Sequence, residues 1–282
     1  MKILATAAEL RAYVAAARRA GQRLGLVPTM GALHRGHLAL VRTALAATDA
    51  VVATVFVNPT QFNNPDDLRL YPRTLEADTA LLESAGCPAL FAPSAEEMYP
   101  APPLLRFDFG PLERVMEGAQ RPGHFNGVAT VVSKLLHLAQ PHAAFFGQKD
   151  WQQLAVVRQL VADLSFEVEI VGCPTVREPD GLAMSSRNRR LTPEGRAVAP
   201  LLHQVLQTAA RGLAQGLAPA AVQAQALATL ADNPRFTAEY VQVADARTLQ
   251  PLAAYDPARE SVICLAAHLD GVRLIDNVAV SG

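Results

Sequence analysis

The chain has 282 residues, half of them hydrophobic and 18% charged, with a formal net charge of −1. That balance excludes a general nucleic-acid binder, and the apolar fraction excludes a disordered chain. No apolar run approaches the roughly 18–20 residues of a membrane span, and Glu9, Arg11, Arg18 and Arg19 interrupt any secretory leader. Cys87, Cys173 and Cys264 lie far apart without a CxxC pair, which argues against a zinc site or disulfide framework and suits a reducing cytoplasm. The basic residues are 22 Arg and only three Lys: Lys2, Lys134 and Lys149.

Leu10, Tyr13, Val14 and Ala17 recur at helical spacing, and Leu24–Val27 reads as a short strand. A Gly-containing turn leads to a helix from about Gly36 to Ala47. Ala50–Val57 is a β-branched run typical of a strand buried on both faces. A helix near Leu75–Ala85, a strand at Ala89–Ala92 and a proline-rich connection over Pro93–Pro103 follow. Next come a helix over Phe125–Ala139, a strand at Ala143–Phe146, a helix over Trp151–Leu164 and a strand at Glu167–Val171. Repeated βα units predict a parallel, doubly wound sheet with right-handed crossovers, whose ligands bind outside the carboxyl ends of the strands. The pattern changes near Val176. A polar loop over Arg177–Arg190 precedes helices over about Pro193–Gln215 and Pro219–Asp232. Strands near Tyr240–Val243, Ser261–Ala267 and Val272–Val280 complete the chain, the last two joined by the turn signal Leu269-Asp270-Gly271. The expectation is a domain over 1–175 and a smaller α+β domain over 176–282.

Four segments at strand ends carry chemistry. Pro28–His37 places His34 and His37 three apart, on one face of a first helical turn, with Gly31 and Gly36 allowing close backbone approach. Helix-start N–H groups attract phosphate, and two imidazoles can donate to an oxyanion. Two surface histidines on an ordinary helix start remain the alternative. A zinc pair is disfavoured, since no third ligand has metal-type spacing. Phe145–Gln153 ends a strand and opens a helix with Lys149, a compact positive charge suited to phosphate, or simply a solvated cation. Asp180–Arg190 offers Ser185, Ser186 and Arg187 in a Gly-containing loop, a phosphate clamp or an interdomain linker. Phe56–Phe62 offers Asn58 and Gln61, which orient a polar substrate or stabilise a turn. Arg121–Gly127 reads as a helix start, and His137 as a helix-face residue.

Taken together the motifs resemble the pantoate–β-alanine ligase (pantothenate synthetase) family over essentially the whole length. The strings are PTMGALHRGH (28–37), VNPTQF (57–62), YPRTLEAD (71–78), RPGHFNGVATVVSKL (121–135), FFGQKDWQQL (145–154), DGLAMSSRN (180–188) and RLIDN (273–277). The resemblance implies a Rossmann-like nucleotide-binding domain with HxGH, a variant of the KMSKS loop, a smaller C-terminal lid domain and a homodimer in the cytoplasm. It implies that ATP, pantoate and β-alanine give pantothenate, AMP and pyrophosphate, with Mg2+, through a pantoyl adenylate. Small molecules are then the partners, not nucleic acid or membrane. By position, the ATP site falls on Met30, Gly31, Ala32, Leu33, His34, Arg35, Gly36 and His37, on Gly147, Gln148, Lys149 and Asp150, on Val176, and on Met184, Ser185, Ser186 and Arg187. His37 matches the assigned proton donor; His34, Lys149 and Arg187 join it as catalytic groups. Gln61 and Gln153 match the pantoate contacts, and Gln61 also the β-alanine contact; no metal ligand is assigned. Gln148 departs from a Glu common in the family.

The bottom-up chemistry agrees with that reading. A carboxylate already carries its nucleophilic electrons, so adenylation needs positioning and charge stabilisation more than a strong base. Another HxGH enzyme would differ visibly: a tRNA synthetase should carry a basic face, and a cytidylyltransferase more cations near Asn58, Gln61 and Gln153. A non-catalytic nucleotide-binding protein would have no need to keep both histidines, Lys149 and Arg187.

Overall fold

The structure, a computed structural model, describes residues 1–63 and 65–280. Two compact units emerge. The first comprises 1–109, 121–148 and 156–174; the second comprises 110–120, 149–155 and 175–282. The chain enters the second unit for good at Thr175, beside the expected cut, but two earlier stretches also belong to it.

In the first unit, β1 (Lys2–Leu4), β2 (Leu24–Thr29), β3 (Ala50–Val55), β4 (Ala89–Phe91), β5 (Ala143–Gly147) and β6 (Glu169–Cys173) form one parallel sheet in the order β1-β4-β3-β2-β5-β6. The order reverses at β2, so the switch point lies between β2 and β5, where doubly wound sheets bind ligands. Val27, Val51, Ala53, Leu90 and Phe145 share a core with Leu38, Val41 and Ala44 of the helix Arg35–Ala47. Their strand neighbours Leu26, Val52, Phe91 and Ala144 point the other way and are equally buried, so both sheet faces are covered. The helix Ala7–Arg19 packs with His124–Ala139, and Arg35–Ala47 packs with Leu75–Ser84. Thr6 and Glu9 close a capping box at the first of these helices.

Two segments hold elements the periodicity did not show, and one expected helix is split. The three-residue strand β1 was too short to carry a period of two. The connection after β4 holds short helices, Ala95–Met98 and Met116–Gln120. The helix expected over Pro193–Gln215 is two, Pro193–Val198 and Leu201–Ala214. Pro200 has no N–H to give the first helix, so the hydrogen-bond ladder breaks there although Ala199 and Pro200 keep helical backbone angles.

The second unit is built on an antiparallel sheet of β7 (Phe236–Asp245), β8 (Ser261–Leu269) and β9 (Val272–Val280). One face packs on Leu201–Ala214 and Pro219–Ala231, with Leu202, Leu206, Leu213, Leu230, Ile263, Leu265 and Leu274 at its core. The other face takes Met116 and Trp151 against Ala246, Leu249, Val262 and Cys264. This second contact explains why 110–120 and 149–155 belong here. Trp151 donates its indole N–H to the Ala246 carbonyl at 2.9 Å. Arg273 on β9 binds Glu117 with both terminal nitrogens at 2.7 Å and also grips Glu239, while Tyr240 donates to Glu117 at 2.7 Å. Burial beside that carboxylate pushes the Tyr240 phenol far up, so it stays a donor. Among the described residues no helix is long and apolar enough to cross a membrane.

Candidate active site

The first unit presents its polar groups at the carboxyl ends of β2, β3 and β5. After Thr29 the chain turns sharply through Gly31, at φ 82°, and Ala32, at φ 50°. A Cβ on Gly31 would come within 2.9 Å of both Asp78 Oδ2 and Val55 Cγ1, so glycine is required by space as well as by φ. Asp78, 1% exposed, clamps this turn. Its two oxygens accept the N–H groups of Ala32 at 2.9 Å and Leu33 at 2.7 Å, and Thr74 donates its hydroxyl at 3.2 Å. The sequence singled out the string holding Asp78 without assigning it a role; an acid near the start of a helix is usually just a helix-dipole partner.

His34 caps the helix Arg35–Ala47, and His37 is its third residue. The two rings lie 4.1 Å apart, centre to centre. The Gly36 N–H points at His34 Nδ1 at 3.2 Å, and the His34 N–H points at His37 Nδ1 at 3.3 Å. A backbone N–H can only donate, so each Nδ1 accepts and each neutral ring carries its proton on Nε2. The pair therefore presents two imidazole N–H donors in defined orientation at a helix N-terminus. Both rings are half-buried.

At the end of β3, Asn58 caps the single turn Pro59–Gln61 and is 1% exposed. Its Oδ1 accepts from the Thr60 N–H, the Thr60 hydroxyl and the Tyr99 phenol at 3.3, 2.9 and 2.8 Å. Burial pushes the Tyr99 phenol up and keeps it a donor. Its Nδ2 donates to the Gly127 carbonyl at 3.1 Å and to Gln61 Oε1 at 3.0 Å. Backbone groups thus settle both ends of Asn58, and through it the amide of Gln61: Oε1 is held, and Nε2 is the presented end, 2.9 Å from Met30 Sδ. Gln61 is a donor aimed beside the Met30 turn. Asn58 is both the turn stabiliser and the group that orients Gln61. The close approach of His124–Ala139 to this turn needs Gly127, where a Cβ would lie 2.2 Å from the Thr60 carbonyl. Arg121 donates to His124 Nε2 at 3.2 Å, so His124 Nδ1 donates to the Gln61 carbonyl at 2.8 Å. A cleft of about 270 Å³ is lined here by Gln61, Arg106, His124 and Asn126. His124 is a site-shaping residue that its string alone did not disclose. Gly147 and Gln148 close β5 of the same sheet.

In the second unit, Lys149 lies in the single turn Gln148–Asp150 that opens the helix Trp151–Asp163. Its side chain is 16% exposed, and its ammonium is 3.9 Å from Asp150. Gln152 is buried and structural: it accepts the Glu117 N–H and donates to the Leu112 and Val115 carbonyls. Gln153, one step round the helix, is half-buried. The loop after β6 is a closed hairpin. Arg177 and Ala183 bridge, Glu178 N–H meets the Leu182 carbonyl at 2.8 Å, and Met184 N–H meets the Val176 carbonyl at 3.0 Å. Val176 and Met184 are thereby adjacent, and Ser185, whose hydroxyl accepts the Arg187 N–H at 3.3 Å, caps the turn Ser186–Arg190. The segment is more ordered than a linker.

Among the described residues no group of three or more His, Cys, Asp or Glu has metal-binding geometry. Asp78 is committed to the turn and Asp180 pairs with Arg196, so Asp150 is the carboxylate offered by the strand-end segments. That donor set fits magnesium, which binds through one or two carboxylates and takes its other oxygens from phosphate and water.

The model of the Pantoate-beta-alanine ligase family matches residues 2–279. A pantothenate synthetase from Cereibacter sphaeroides is 52% identical over 278 residues, 99% of each chain. One from Porphyromonas gingivalis is 49% identical with the same coverage. The crystal structure of pantothenate synthetase from Thermus thermophilus superposes with a TM-score of 0.92 at 47% identity, covering 100% of both chains. That of the Francisella tularensis pantoate-beta-alanine ligase, complexed with beta-gamma ATP and beta-alanine, superposes at 0.82 with 35% identity over 99% and 97% of the chains. The chain belongs to the pantoate-β-alanine ligase family, and its reaction is the condensation of pantoate with β-alanine.

Proposed function

We propose that this condensation runs on ATP through a pantoyl adenylate. A pantoate carboxylate oxygen attacks the α-phosphorus, the bond to the β-phosphate oxygen breaks, and pyrophosphate leaves. The β-alanine amine, having lost its ammonium proton, then attacks the acyl carbon. The C–O bond to phosphate breaks, a second amine proton is released, and pantothenate and AMP depart.

The observation that carries this reading is the turn after β2. It orients the Nε2–H groups of His34 and His37 at the start of the helix Arg35–Ala47, beside the switch point of the sheet. The chain has no GxxxxGK[ST] loop of the kind that cradles β- and γ-phosphates. Charge developing on the α-phosphate and the leaving pyrophosphate is met by preformed donors, the largest single catalytic contribution in such reactions. His37 and His34 donate there. Lys149 adds a shielded positive charge, and Arg187 a fork that matches phosphate oxygens. Met30–His37, Gly147–Asp150, Val176 and Met184–Arg187 bind ATP. Gln61 and Gln153 hold pantoate, and Gln61 next meets the β-alanine carboxylate, since its presented end is a donor. Bound magnesium, with Asp150 as its protein carboxylate, would neutralise phosphate charge. The Ser185–Arg187 loop also keeps water from the adenylate, acting as a lid. We place the enzyme in the cytoplasm as a homodimer; three buried free thiols suit a reducing compartment.

Labelled pyrophosphate tests the order. Exchange into ATP should need pantoate and proceed without β-alanine, and AMP should be the nucleotide product once β-alanine is added. ADP as product, or exchange that requires β-alanine, refutes the adenylate.

A further inference from the structure

Two adjacent residues of β9, Asp276 and Asn277, have no place in the chemistry above, yet they are 3% and 5% exposed. Neighbours on a strand point to opposite faces. The even positions Val272, Leu274 and Val280 join the core under the helices, and Asp276 shares their face. The odd positions face the other way: Arg273 grips Glu117 there, and Asn277 donates through Nδ2 to the main-chain carbonyl of Lys149 at 2.7 Å. A carbonyl can only accept, so the amide orientation of Asn277 is fixed. On the opposite face, the Asp276 carboxylate takes both terminal nitrogens of Arg177, at 2.6 and 2.9 Å, and the Asn277 N–H at 2.8 Å. Arg177 also donates to the carbonyls of Gly181 at 3.0 Å and Asn277 at 3.1 Å. It thus closes the hairpin that leads into Met184–Arg187. Two successive strand positions therefore hold, on opposite faces, the turn that carries Lys149 and the root of the loop that carries Ser185, Ser186 and Arg187.

We propose that Asp276 and Asn277 are positioning residues for the condensation, setting Lys149 and the Ser185–Arg187 loop in one common frame through the Lys149 carbonyl and the Arg177 guanidinium. The inference rests on the reading of Lys149 as the cation at the phosphates. Misplacing a catalytic group by about 1 Å costs on the order of 10²-fold in rate, so the effect should fall on kcat. Binding of β-alanine should be untouched.

The test is a double-mutant cycle on pantothenate formation by the full chain, comparing Asn277→Asp, Lys149→Met and the double variant. Asn277→Asp keeps the shape and removes the donor. It should lower kcat about 10²-fold with the KM for β-alanine within about twofold. In the Lys149→Met background the same substitution should cost less than about threefold, because no ammonium remains to misplace. Asn277→Ala carries the same cycle if Asn277→Asp lacks a cooperative melt. Asp276→Asn with Arg187→Gln should likewise be non-additive. Equal losses from Asn277→Asp in both backgrounds would overturn the inference and leave the role of Lys149 standing. Near-normal synthesis by Lys149→Met would overturn that role and the inference with it.

Discussion

Asp78 offers the sharpest perturbation, because it is 1% exposed and its carboxylate accepts from two main-chain groups of the Met30–His37 turn. Its carboxylate holds two main-chain donors, Ala32 and Leu33, at 2.9 and 2.7 Å, and one hydroxyl, Thr74, at 3.2 Å. Asp78→Ala removes the carboxylate acceptor of two buried N–H groups, at about 1–3 kcal/mol each. Asp78→Asn keeps one acceptor oxygen but turns an amide N–H toward the other donor. It should cost about 2–4 kcal/mol, with Asp78→Ala at the upper end or beyond. At about 2–4 °C per kcal/mol, a melting point lowered by roughly 4–16 °C is expected for Asp78→Asn. Thr74→Val is the control: it removes only the weakest partner and should cost about 1 kcal/mol. The turn so held places Met30 through His37, so the surviving folded fraction of Asp78→Asn should form pantothenate about 10²-fold more slowly at saturating ATP. Calorimetry and a coupled AMP assay measure the two quantities. An Asp78→Asn melting point within about 1 °C of the parent would show that the clamp contributes nothing, and the argument from buried main-chain donors would fail.

Three further outcomes follow from the same contacts. His37→Ala removes an N–H donor and one helix-cap partner, so pantoate-dependent pyrophosphate exchange should fall by about 10²–10³-fold while stability falls by only about 1 kcal/mol; loss of cooperative folding would make this histidine structural. Gln61→Glu replaces the presented donor with an acceptor and should raise the KM for pantoate by about 10–100-fold, with the KM for ATP little changed; an unchanged pantoate KM would contradict the donor assignment. His203 supplies a pH dependence: burial and the Arg177 charge hold its pKa below the usual histidine value, against the opposing pull of Asp276, and its Nδ1 is buried without a hydrogen-bond partner. The unfolded chain then binds the proton more readily, so stability is full above pH about 6.5 and is lost as pH falls through the lower folded pKa. His203→Gln should flatten denaturant-measured stability between pH 5 and 7, and an unaltered slope would remove His203 from the acid response.

Much of the site was legible because its motifs are local. A strand, a glycine turn and two histidines three apart lie within ten residues, and the first helical turn alone brings the histidines together. The parallel sheet was legible for a related reason: β2, β3 and β5 are continuous apolar runs, as strands buried on both faces must be. What was not legible depends on long-range partners. Arg177 and Asp276 are 99 positions apart, Asn58 and Gly127 69, and Ala32 and Asp78 46. No spacing rule relates such pairs. The membership of 149–155 in the second unit was hidden for the same reason, since Trp151 reaches Ala246 95 positions later. Pro200 is a different case: its effect was readable, and the uninterrupted apolar periodicity around it concealed the break.

The contacts that orient His34, His37, Asn58 and Asn277 share a chemical form. Each oriented polar side chain is fixed by a main-chain group with a single possible role. His34 and His37 accept from peptide N–H groups, Asn58 is held between the Thr60 N–H and the Gly127 carbonyl, and Asn277 donates to the Lys149 carbonyl. A side-chain partner could rotate or change protonation; a peptide group can do neither without moving the chain. Orientation is then set before substrate arrives, and the reaction need not supply that reorganisation. The same logic explains the crowding at Gly31 and Gly127, where a Cβ would meet Asp78 Oδ2 at 2.9 Å and the Thr60 carbonyl at 2.2 Å. Main chain can serve as the rigid partner only where it comes this close. The glycines are therefore part of the machinery that orients Gln61 and the histidine pair, although neither has a side chain to contribute.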